Sequence, residues 1–264
     1  MNTARKIAAL CLFAGLCIPA VTAQSLNGMA LNGATGLYTV PTGRIGWNTT
    51  NLGINGGYQT IIHGREMNHL IRANFSLFKW VELSAAFDIQ PEYDKNDDLL
   101  LGLKIGIPLI KNTALALGGN FQSHNVGNGY DYSAVQFYAA ATYTGTFFSM
   151  PAETTLMMGK THIFENDFDS AIDFGMGFDV ILFPNMFEYP YFHGIIDFSN
   201  VSYSAGPWYA NAWGRGMLNA GLRINLAAIP ALSRFTFGID VLGADLFDTD
   251  RSFSIGAVFG APVL

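Results

Sequence analysis

Cysteine is nearly absent from this chain, and its placement removes several chemistries at once. The 264 residues hold two, Cys11 and Cys17. Both fall in a stretch that reads as an export signal: Arg5 and Lys6, then an apolar run from Ile7 to Pro19, then Val21-Thr22-Ala23 as a small-residue cleavage site. That run is somewhat short of the roughly 20 residues a membrane helix needs. Leu16 before Cys17 argues against a lipoprotein signal. Cleavage before Gln24 is expected to leave 241 residues without a thiol. Such a chain has no disulfide, no cysteine-ligated metal and no cysteine nucleophile.

Positive charge is scarce too. Losing residues 1–23 removes Arg5 and Lys6, leaving 12 Lys and Arg against 20 Asp and Glu, a net charge of −8. An acidic chain is a poor partner for nucleic acid. Past the signal, no run of 18 residues is free of polar interruption, so a helical membrane protein is excluded. A β protein remains, either soluble or embedded in lipid.

What is present is alternation. Leu99, Leu101, Leu103, Ile105 and Ile107 interleave with Leu100, Gly102, Lys104 and Gly106. Phe235, Phe237, Ile239 and Val241 do the same with Thr236, Gly238 and Asp240. A period of two gives each strand one apolar and one polar face. About twelve such segments follow: 49–60, 66–78, 81–90, 98–108, 113–123, 134–145, 153–163, 171–183, 191–201, 215–227, 234–244 and 252–261. Most match the roughly 9–11 residues that a tilted strand needs to cross a bilayer. Pro262 predicts that the last strand stops near Phe259.

The connections alternate between short turns, such as Phe78-Lys79-Trp80, and longer polar loops. The long loops 91–98, 123–133, 164–170 and 244–251 together carry −9, whereas charges at the short turns cancel. Short periplasmic turns and long external loops are the outer-membrane arrangement. The expected fold is therefore an all-β, transmembrane antiparallel barrel of about 12 strands, residues 48–264. Bacterial outer-membrane lipid is its expected surrounding.

If apolar faces meet lipid, the other faces line a lumen. They carry Arg72, Glu82, Asp88, Lys104, Asp173, Asp179, His193, Asp197, Arg223 and Asp240, with glycines 53, 57, 102, 106, 118, 175, 177, 221, 238 and 256 among them. The glycines leave room for water or for chain. Residues 24–47 include "GATGLYTVPTGRIGW", broken by glycines and Pro41 into turns and lacking any strand period. They are expected to fold into the barrel or across its mouth, with Arg44 meeting Asp173, Asp179, Asp197 or Asp240. The alternative is a flexible periplasmic leader.

The same residues carry a resemblance. Gly36, Leu37, Pro41, Thr42 and Arg44 are similar to the Gly-Leu…Pro-Thr-Ala-Arg pattern of the YjbH family of outer-membrane proteins, with Gly43 in place of Ala. Phe78, Trp80 and Glu82 resemble its Phe-x-Trp-Leu-Glu turn, with Val81 in place of Leu. The resemblance spans about 33–110 and implies a non-enzymatic role in exopolysaccharide export or envelope assembly, with polysaccharide or export proteins as partners. The extra domains of typical members are missing.

Two further readings follow from the residues themselves. One is a narrow, cation-leaning diffusion channel; the other is a surface adhesin whose loops do the binding. A sugar platform on Tyr203, Trp208, Tyr209 and Trp213 is weaker than simple loop packing. A hydrolase built on Ser123, His124, Asn125, Asn128 and Ser133 is disfavoured, because adjacent Ser and His on a strand point to opposite faces. The five histidines show no metal-ligand spacing, the acidic loops lack the calcium-loop pattern, and no cofactor is implied.

Overall fold

The computed structural model describes residues 28–89, 97–110, 112–124, 132–164, 172–203, 216–247 and 251–263, without the side chains of 108–110 and 132. The signal, parts of the long loops, and Trp208, Tyr209, Trp213, Asn125 and Asn128 lie outside the described residues.

Twelve strands form one closed antiparallel barrel: β1 (Leu52–His63), β2 (Glu66–Leu77), β3 (Val81–Ile89), β4 (Asp98–Ile110), β5 (Thr113–His124), β6 (Tyr132–Phe147), β7 (Met150–Ile163), β8 (Ile172–Ile181), β9 (Phe192–Ser199), β10 (Met217–Asn225), β11 (Thr236–Ala244) and β12 (Ser252–Pro262). Neighbours in sequence are neighbours in the sheet, and β1 pairs with β12 from Gly53↔Pro262 to Ile62↔Phe253. Full closure satisfies every strand edge, which a sheet inside lipid requires.

The strand period sets the two surfaces. On β4, Leu101, Leu103 and Ile105 are 43–47% exposed, while Lys104 between them is 1% exposed. The exterior is a wall of Leu, Ile, Phe and Met; the polar side chains point inward. A soluble protein does not leave so much contiguous apolar surface to water, whereas a lipid-facing barrel must. Phe78, Trp80, Phe148 and Phe183 stand exposed around the rim that carries the short turns, where an interfacial girdle belongs.

Most strand ends shift by one to three residues from the expected ones, and two of these shifts have a clear cause. The first strand begins three residues later, because Gly64, at φ +60°, makes a tight turn that pairs His63 with Glu66 and fixes the register of both strands. The last strand runs to Pro262 instead of stopping near Phe259. Pro262 cannot donate, but Val263 N–H donates to the Leu52 carbonyl at 2.8 Å and carries the pairing past it.

Candidate functional site

The lumen is occupied by the chain's own residues 28–47. Except for Arg44, these residues are buried. They enter from the turn rim through Asn48–Asn51 and fold as two tight reversals, bridged at Met29↔Thr35 and Gly36↔Pro41. The second reversal, Leu37 to Val40, carries the segment deep towards the loop rim. Leu31, Leu37, Tyr38 and Val40 form an apolar cluster there with Ile61, Leu70, Leu100, Met157, Ile195 and Leu242 from the wall.

Five of the ten wall glycines, 53, 57, 106, 175 and 177, are seats of this segment. A Cβ at Gly53 would stand 2.1 Å from the Trp47 ring, and one at Gly106 would stand 2.7 Å from Ile45. At Gly175 it would meet Val40 at 2.9 Å, and at Gly177 Leu37 at 2.4 Å. At these positions the room left by missing side chains is filled by the plug.

Charged wall groups hold the plug by its main chain. One oxygen of Asp197 accepts the amides of Tyr38, Thr39 and Val40 at 2.9, 2.6 and 3.1 Å. Three successive N–H groups make an anion cradle of the kind that backbone turns provide. Glu82 accepts Thr35 N–H at 2.7 Å, the Thr35 hydroxyl at 2.6 Å and Gly46 N–H at 2.9 Å. Lys104 lies 3.0 Å from Glu82 and donates to the Thr35 carbonyl at 3.0 Å. Arg72 donates to the Met29 carbonyl at 2.6 Å and to Gln59 at 2.8 Å. Arg223 makes a two-pronged pair with Asp240, at 2.7 and 2.9 Å, and reaches the Gly36 and Leu37 carbonyls. Each buried ion is thus met by a partner, as burial of charge demands.

Of the expected partners, Arg44 meets none. Asp197 is taken by plug amides and Asp240 by Arg223. Asp179 sits 2.5 Å from His193, and Asp173 accepts from Gln136 and Thr161. Arg44 pairs instead with Glu153 at 2.7 Å and with the Thr144 hydroxyl, near the turn rim. It lies only six residues before Thr50, near the rim, where Asp179 stands opposite Glu153 in the register but is engaged by His193. Asp88 is fully buried on β3.

Several lumen residues escaped the sequence reading. Gln59 and Gln136 share the inward parity of their strands, so alternation alone marks them. Asp98 and Glu153 fell at expected strand ends and were read as loop and turn charge. Tyr203 is fully buried; its hydroxyl donates to Gln136 at 2.8 Å, so it packs into the loop-rim mouth instead of standing out as a platform. Burial pushes the Tyr38 and Tyr203 hydroxyls above the ordinary tyrosine range, so both stay neutral. His124 faces the lumen 3.1 Å from Asp98, while Ser123 takes the opposite parity.

No protein-family model and no curated protein matches the chain. Among solved structures it is similar to the KdgM porin, at 5% identity and a TM-score of 0.53 over 78% of this chain and 98% of that one. It is similar also to the KdgM porin in complex with disordered oligogalacturonate, at 4% identity and 0.52 over 80% and 99%. The outer membrane protein Omp33 of Acinetobacter baumannii follows at 10% identity and 0.43 over 81% and 98%.

These findings overturn the YjbH resemblance and leave the exopolysaccharide reading without support. The residues that carried it have local roles: Glu82 holds the plug, Gly36 and Pro41 close its second reversal, and Phe78 and Trp80 stand on the rim. At such low identity the likeness shows fold alone. The chain has the closed antiparallel barrel fold of outer-membrane porins.

Proposed function

We propose that this chain is an outer-membrane channel closed by its own N-terminal segment, and that it passes small solutes when that segment moves. The single observation that supports this most is residues 28–47 seated within a porin-type barrel. The turn rim faces the periplasm, because short turns and the N-terminal entry share it.

A cation preference accompanies this reading. Among the described residues, eight buried carboxylates stand against three buried Arg and Lys. Focused in a low-dielectric wall, that excess attracts cations and repels anions. The oligogalacturonate named for one KdgM structure is a polyanion, and a lumen of this sign disfavours it.

The test uses the absence of thiols after residue 23. The Val40 methyls lie 2.9 and 3.4 Å from the site of a Cβ at Gly175. The pair V40C/G175C therefore falls near the roughly 3.5–4.5 Å between Cβ atoms that a disulfide spans. In planar bilayers the oxidised protein is expected to be silent and the reduced protein to show cation-selective openings. A steady open pore in the oxidised protein would overturn the proposal.

A further inference from the structure

When the plug leaves, the wall ions do not lose equally. Arg223 keeps Asp240, and Lys104 keeps Glu82. Among the described residues, the hydrogen-bond partner left to Asp197 is the neutral amide of Asn219, at 2.8 Å, and that left to Arg72 is the neutral Gln59. Arg72 Nε already has no hydrogen-bond partner among the described residues, although the side chain is 2% exposed.

These two ions stand on nearly opposite walls. β2 and β9 are five strands apart in a ring of twelve. Only two layers of plug backbone separate them. Arg72 donates to the Ala30 carbonyl at 3.3 Å, Leu31 N–H donates to the Tyr38 carbonyl at 2.9 Å, and Tyr38 N–H donates to Asp197 at 2.9 Å. With the intervening peptide geometry, the gap from guanidinium to carboxylate is at most ~15 Å.

A solute that replaces the plug at this level must bring donors to the β9 wall and acceptors to the β2 wall. Building on the channel reading above, we infer that the opened lumen selects short zwitterionic peptides, with the ammonium at Asp197 and the carboxylate at Arg72. At roughly 3.3–3.6 Å per residue plus a hydrogen bond at each end, two residues fill the gap. A neutral sugar of similar size offers hydroxyl hydrogen bonds but no countercharge to either ion, and an anion satisfies Arg72 but faces Asp197. Charge-assisted contacts at both ends supply the discrimination.

The test is solute-driven swelling of liposomes that hold the full-length V40C/G175C protein, with alanylalanine, N-acetyl-alanylalanine and arabinose as probes. After reduction, alanylalanine is expected to enter about tenfold faster than either of the others, the order of one charge-assisted hydrogen bond. R72Q and D197N should each erase that preference while arabinose entry does not slow. The acetylated probe tests the ammonium without any variant, should one fail to fold. Equal entry of the three probes after reduction would overturn the inference and leave the gated channel standing. No entry of any probe, oxidised or reduced, would overturn both.

Discussion

Asp197 and Thr39 lie 158 positions apart in sequence and make one of the shortest contacts in the lumen, 2.6 Å from carboxylate oxygen to backbone amide. The same oxygen takes the amides on either side. A carboxylate held by three N–H groups is the firmest point of the plug's tip. Replacing Asp197 with Asn keeps the shape but removes the charge. It is expected to weaken the tip by roughly 2 kcal/mol, or ~30-fold in the ratio of open to closed plug. Single-channel open probability measures it; an unchanged value would show that the cradle does not hold the plug.

The buried Lys104–Glu82 pair bears on stability more than on opening. Lys104→Met strands a carboxylate that keeps the Thr35 and Gly46 donors, so the cost is expected near 3 kcal/mol, the lower end for breaking a buried pair. The temperature of heat-modifiable gel migration should fall accordingly.

Arg44–Glu153 sits close to solvent, with side chains 17% and 13% exposed. Water screens such a pair more than it screens Lys104–Glu82. Arg44→Gln is expected to cost between the ~1 kcal/mol of an exposed pair and the ~3 kcal/mol of a buried one, and the loss should shrink in high salt. A loss as large as that of Lys104→Met would contradict the placement of Arg44 near the rim.

Gly106 is filled by Ile45 across the plug–wall boundary, and the nearest wall atom, the Trp80 carbonyl, is 3.7 Å from the added Cβ. Gly106→Ala should therefore push on the plug by about 1–3 kcal/mol, and Ile45→Ala should relieve it. The coupling in a double-mutant cycle, read by channel opening, checks this. Additive effects would mean that the two residues do not meet.

On the outer surface, Leu103 lies near the middle of β4 and 46% exposed. Leu103→Arg is expected to cost roughly 2–4 kcal/mol of folding in liposomes, whereas Leu99→Arg, on the same outward face at the loop end of the strand, should cost only about 0–1 kcal/mol. Equal tolerance at both positions would sink the lipid-facing exterior.

The barrel was readable because period two is written in side chains: Leu101, Leu103 and Ile105 against Gly102 and Lys104 need no other information. Lumen charge followed from the same parity. What the plug touches did not. Asp197, Glu82, Arg72 and Lys104 bind it through amides and carbonyls that every residue possesses, so no residue type at 35 or 38–40 announces its partner. The depth of Arg44 depended on how the segment threads the stagger of the strands, which alternation does not specify. Glycines 53, 106, 175 and 177 were visible as gaps, but a gap does not name what fills it.

The notches at Gly53 and Gly106, keyed to Trp47 and Ile45, bear on how the lumen recloses. Both lie beside the rim through which the segment enters, so neither knob passes the rest of the staves when the segment leaves or returns. They act as a locating key: a returning segment stops at the same depth on every cycle.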